Sequence, residues 1–132
     1  MDCSLNGKCA SGACACDTGW VGTRCETLDL APVDRTVLGF NPVQGGKNMS
    51  SWGGSVQQVN GTWHMWAVMM ANHCGISSYL MNSGVVHAVS TSGDVAGPYE
   101  LRESVLPPFA HEPDVCRAPT GELVMIAMGC VE

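Results

Sequence analysis

Charge is scarce in this 132-residue chain. Asp, Glu, Lys and Arg together make 14 % of it, and six basic residues against twelve acidic ones leave a formal net charge of -6. The basic residues nowhere cluster, which excludes the electropositive patch that nucleic acid or an anionic membrane surface requires. Long apolar runs are also missing. None approaches the roughly 20 residues of a membrane-spanning helix, so membrane insertion is not expected. The apolar stretch Leu123 to Met128 is short and bounded by Gly121 and Gly129, which suits a strand. A leader is lacking too. Only Met1-Asp2 precede Cys3, so the natural N-terminus is expected to lie further upstream.

What the chain does have is eight cysteines and sixteen glycines. Cysteine at this density means disulfides in an oxidising compartment or metal ligands in a reducing one. Two glycosylation sequons, Asn48-Met49-Ser50 and Asn60-Gly61-Thr62, agree with the first. The chain is therefore expected to be extracellular.

Residues 3 to 25 read Cys3, five residues, Cys9, four residues, Cys14, one residue, Cys16, eight residues, Cys25. Turn-forming pairs Asn6-Gly7 and Ser11-Gly12 and the run Asp17-Thr18-Gly19 lie between them. With almost no aliphatic side chains, the segment has no core to bury and needs cross-links. Zinc is the competing use of such cysteines, but the segment holds neither a C-x-x-C pair nor a histidine. The stretch from Cys14 to Cys25, with its C-x-C, the following eight residues and Trp20-Val21-Gly22, resembles the EGF-like family. The resemblance implies a small two-stranded module with pairs Cys3–Cys14 and Cys16–Cys25. The family's first cysteine has no counterpart, and Cys9 would be its partner. Cys9 is then free, or paired upstream, or paired outside the module. Trp20 is expected to pack over the C-terminal loop.

Residues 27–50 read as a linker and lead-in segment, since Pro32, Pro42 and Gly45-Gly46 oppose long helices. Beyond them the pattern is β. Ser55 to Val59 and Thr62 to Met70 flank Asn60-Gly61, whose residues tolerate the positive φ of a type I′ hairpin turn. Val85 to Ser90 and Tyr99 to Leu106 complete four strands. A second hairpin around Thr120-Gly121 lies about 60 residues after the first. Four strands per repeat is the build of a propeller blade. The expected fold is all-β: an EGF-like module over 1–26, then over 51–132 a partial, truncated β-propeller of about one and a half blades. A small complete β-sandwich is the alternative.

Trp52-Gly53-Gly54-Ser55, Val86-His87-Ala88-Val89-Ser90 and Ser90-Thr91-Ser92 followed by Gly97-Pro98-Tyr99 resemble five-bladed propellers of the arabinanase and xylosidase type. The resemblance implies a glycoside-hydrolase relative acting on or binding extracellular polysaccharide. Glycoside hydrolysis uses two carboxyl groups. In such propellers a first-blade base, an Asp in an A-P-D-I-like stretch and a third-blade Glu surround the central channel. Glu112-Pro113-Asp114-Val115 is similar to the second of these, which makes Asp114 the carboxylate that tunes the acid. Trp52-Gly53-Gly54-Ser55 holds no carboxylate where the base belongs.

The candidate catalytic residues are accordingly Asp114, Glu112 and His111, the last as a histidine beside a carboxylate. Candidate ligand-binding residues are Trp52, a stacking platform, with His73 and His87; each histidine has the alternative of serving only its local backbone. Trp63 and Trp66 sit three apart on one strand, so they face opposite sides and are expected to pack between blades. Met65, Met69 and Met70 read as core filling. A disulfide is expected among Cys9, Cys74, Cys116 and Cys130, with zinc held by those cysteines and His73 as the alternative. No cofactor and no metal is expected. Two functions stand: a carbohydrate-active propeller that binds or processes extracellular glycan, and a non-catalytic extracellular adhesion protein.

Overall fold

The computed structural model describes residues 2–32, 39–44 and 46–129. The chain divides into two compact units, 1–33 and 34–132.

The first unit is built on two hairpins. Strand β1 (Gly7–Ala10) pairs antiparallel with β2 (Ala13–Cys16), and β3 (Trp20–Val21) with β4 (Thr27–Leu28). The turn between β1 and β2 falls at Ser11-Gly12, both at positive φ. Disulfides join Cys3 to Cys14 and Cys16 to Cys25. Cys3 and Cys25 are the buried residues of this unit, so the cross-links themselves occupy the place of a hydrophobic core. Thr27 and Leu28, placed by sequence in the linker, complete the second hairpin. Trp20 is half-buried. Cys9 is an exposed free thiol.

The second unit opens with a two-residue hairpin, β5 (Val43–Gln44) with β6 (Lys47–Asn48). The main sheet follows as a meander: β7 (Ser51–Val59), β8 (Thr62–Met70), β9 (Ser83–Ser90) and β10 (Tyr99–Leu106), antiparallel, in the spatial order β10-β9-β8-β7. Consecutive strands are neighbours, without the interleaving of a Greek-key sandwich. Asn60 (φ 50°) and Gly61 (φ 81°) make the β7–β8 turn, as a type I′ hairpin requires. The Ser90-to-Tyr99 connection is held by its own side chains. Ser90 Oγ donates to Asp94 O at 2.8 Å, Ser92 Oγ to Gly97 O at 2.8 Å, and the Tyr99 hydroxyl to Val95 O at 2.7 Å. Burial, and then the nearby Asp94, push the Tyr99 phenol above its ordinary range.

A second hairpin, β11 (Ala110–Arg117) with β12 (Leu123–Gly129), packs on this sheet. Val68, Met70 and Val85 are fully buried, joined by Ala67, Val86, Ala88 and Val115. Strand β9 reads Val-Val-His-Ala-Val because it is a central strand, covered on both faces for most of its length. The unit is thus one four-stranded blade and the first hairpin of the next, with open sheets: part of a β-propeller.

Cys74 and Cys116 are free thiols on separate elements, the loop after β8 and strand β11. The disulfide expected among the remaining cysteines therefore does not involve Cys9, Cys74 or Cys116. Cys130 lies outside the described residues. No helix is long and apolar enough to cross a membrane among the described residues.

Candidate functional site

Two β-bulges aim side chains into one cleft. In β7 the register shifts between Trp52, opposite Val68, and Gly54, opposite Ala67. Gly53 takes φ 49° and Gly54 φ 146°. A side chain at Gly54 would collide with the Trp66 carbonyl oxygen, so this close approach requires glycine. In β11 the register shifts between His111, opposite Met128, and Asp114, opposite Ile126. There Glu112 takes φ 53°. Each bulge lies near the start of the first strand of its sheet and re-aims the residue beside it.

Three polar contacts lock β11 over β7. The Val115 amide donates to Ser55 Oγ at 2.7 Å, Gln57 Nε2 donates to Val115 O at 2.7 Å, and Arg117 Nη2 donates to Gln58 O at 3.3 Å. The two bulged strands are therefore held side by side. Between them opens a cleft of about 260 Å³ lined by Trp52, Ile76, Tyr79, His111 and Glu112.

The cleft has an aromatic wall. The Trp52 and Tyr79 rings stand at 86° with centroids 6.2 Å apart. His111 lies 6.4 Å from Trp52 and 5.6 Å from Tyr79, and Phe109 backs it edge-on at 4.8 Å. Tyr79 arrives on a single helical turn, Tyr79–Asn82, within the 71–82 connection between β8 and β9. That turn is pinned where Ser83 Oγ donates to the Tyr79 carbonyl at 2.7 Å.

The same hydroxyl defines the state of His111. The imidazole is 5 % exposed, and its Nδ1 lies 3.4 Å from Ser83 Oγ. Ser83 commits its proton to Tyr79 O, so its oxygen faces His111 as an acceptor. Neutral His111 is then protonated at Nδ1 and carries its lone pair on Nε2, a tautomer assigned from this network. Among the described residues no buried side-chain polar atom lacks a partner. Nε2 has no partner among the described residues, so it is open to the cleft. Glu112 is exposed and makes no ion pair or hydrogen bond with a described residue. No Lys or Arg among the described residues lines the cleft.

The sequence candidates thus separate. Trp52, His111 and Glu112 meet in the cleft. Asp114 is exposed on β11 and is not among the residues lining it. His73 is exposed in the turn Ala71–His73, at φ 56°. His87 belongs to a second cluster. Its Nε2 lies 2.9 Å from His64 Nδ1 in a nearly coplanar pair, its Nδ1 lies 3.3 Å from Glu103 Oε1, and Trp66 stacks on it at 5.2 Å. Because a carboxylate only accepts, His87 Nδ1–H donates to Glu103 and His64 Nδ1–H donates to His87 Nε2. Burial, and then the neighbouring His87, hold His64 below the ordinary histidine value. Sequence reasoning missed Tyr79, Ile76, Ser83 and His64. The first three lie in or next to a connection with no apolar period. The pairing of His64 with His87 follows from β8–β9 register, in which His64 faces Val89 and Trp66 faces His87.

With this geometry in place, comparison with known proteins adds two likenesses. Residues 1–27 match the family model of the Teneurin-like EGF domain, and the N-terminal unit is an EGF-like module with two disulfides. Among solved structures, the endo-arabinase from Bacteroides thetaiotaomicron VPI-5482 is similar at 18 % identity with a TM-score of 0.48, over 69 % of this chain and 31 % of that one. The chain spans about a third of that enzyme's length. Compared with curated protein sequences, the chain finds no match.

Proposed function

We propose that this is a secreted protein whose cleft binds extracellular carbohydrate without hydrolysing it, on a chain that also carries an EGF-like module. The observation that carries the reading is the cleft's composition. Trp52 and Tyr79 offer aromatic surface, and His111 and Glu112 offer hydrogen bonding. Apolar walls with a few polar groups are the usual make-up of a small-ligand site, and the apolar face of a sugar ring stacks on indole. Its volume of about 260 Å³ suits one or two sugar units.

Hydrolysis asks for more. Two carboxyl groups stand about 5–5.5 Å apart in retaining enzymes and about 6.5–9.5 Å apart in inverting ones. Here Glu112 is the one carboxylate among the described lining residues. The test is to secrete the full chain and measure oligosaccharide binding by calorimetry alongside release of reducing ends. Binding weakened about tenfold or more by Trp52→Ala, with no release, is the expected result. Release of sugar that disappears in Asp114→Asn would instead make the protein a hydrolase.

A further inference from the structure

Resting on the glycan-binding reading above, we propose that the cleft selects sugars bearing a protonated amine, as in the glucosamine units of a deacetylated amino-sugar polymer. The argument is one of complementary donors and acceptors. Neutral His111 presents a bare Nε2 to the cleft because Ser83 takes up its Nδ1–H. Glu112 presents a carboxylate with no partner among the described residues, and ionised carboxylates only accept. The Tyr79 hydroxyl, which serves either way, and the Trp52 indole N–H, a donor, are the remaining side-chain polar groups of the lining.

Acceptors outnumber donors in this lining, so a ligand that supplies donors fits it best, and an ammonium group supplies three while having no acceptor. The walls favour the same charge. Trp52 and Tyr79 meet nearly at right angles, so the corner between them exposes indole and phenol surface, and a cation over an aromatic face is attracted by the ring quadrupole. No described Lys or Arg lines the cleft to oppose it, and the formal net charge of -6 draws a cationic polymer toward the protein. An acetylated or neutral sugar can stack on Trp52 but leaves the Glu112 carboxylate without its charged partner. The Glu112 backbone is also held in place. Its positive φ sits in the β11 bulge, and that strand is tied to β7 through Val115.

The experiment is calorimetry near neutral pH on the full chain, with three oligomers of equal length: glucosamine, N-acetylglucosamine and xylose. Wild type, Glu112→Gln and Trp52→Ala are compared after circular dichroism shows each folded. The expected result is glucosamine binding about tenfold tighter than either neutral oligomer. Glu112→Gln should bring the affinities to within about twofold, and Trp52→Ala should weaken all three. Equal or tighter Trp52-dependent binding of a neutral oligomer overturns the amine preference while leaving the glycan site standing. Glucosamine binding that survives both substitutions reports attraction to the overall negative charge and overturns the proposal. Failure of all three oligomers to bind overturns the glycan reading with it.

Discussion

His64 and His111 are histidines of one chain given different tasks by their neighbours. His111 is buried against Phe109 and Ser83 and opens one nitrogen to the cleft. His64 donates into His87, which donates into Glu103. Protonating His64 puts charge into a partly desolvated site beside a second imidazole, so its folded value lies below the unfolded one. A base with a depressed folded value binds fewer protons folded than unfolded. This group's contribution to stability is therefore complete above the ordinary histidine range and is lost as pH falls through it. Two-dimensional NMR titration of the imidazoles should find His64 titrating below 6.5, and His64→Gln should reduce the loss of stability on acidification. Titration of His64 at or above its ordinary value would contradict this. Residue types with chemical meaning were legible in the chain: Trp52, His111 and Glu112 stand in short motifs and do converge. Tyr79 was not legible, because its role depends on where the 71–82 connection folds back. Asp114 was drawn in by its motif, yet its side chain is exposed outside the cleft lining.

At the scale of elements, the strands follow from alternation and from Asn60-Gly61, whose positive φ values close the first hairpin. Gly61→Val places a β-branched side chain at φ 81° and should destabilise the protein by about 1–3 kcal/mol, read as a lower urea midpoint. The bulges were less legible. A Trp-Gly-Gly sequence announces an irregular strand, but only the register shows that it re-aims Trp52 toward Tyr79. In β11 nothing in His-Glu-Pro-Asp announces a left-handed Glu112, since glutamate rarely adopts that conformation. Gly54→Ala tests the bulge directly. The added methyl meets the Trp66 carbonyl, so the strand must shift. Loss of about 1–3 kcal/mol together with weakened ligand binding is expected; unchanged binding would detach Trp52's aim from this glycine.

At the scale of the whole molecule, two units obey different rules. The second, 34–132, buries Met70, Val68 and Val85 and is held by packing. The first, 1–33, is held by Cys3–Cys14 and Cys16–Cys25. Replacing Cys16 and Cys25 by serine should cost the module about 2–5 kcal/mol and open it to protease, while cleavage within 51–129 stays slow. Equal protection of the module with and without its bridges would contradict the assignment of stability to cross-links.

The central claim is that a sugar binds against Trp52. Four tryptophans give four indole N–H signals, from Trp20, Trp52, Trp63 and Trp66. Titrating the secreted, labelled protein with glucosamine oligomer and following those signals by NMR tests the claim residue by residue. A saturable shift of the Trp52 signal, absent in Trp52→Phe spectra and larger than any shift of the other three, is the expected result. Shifts confined to Trp63 or Trp66, or no shift at any indole, would contradict it.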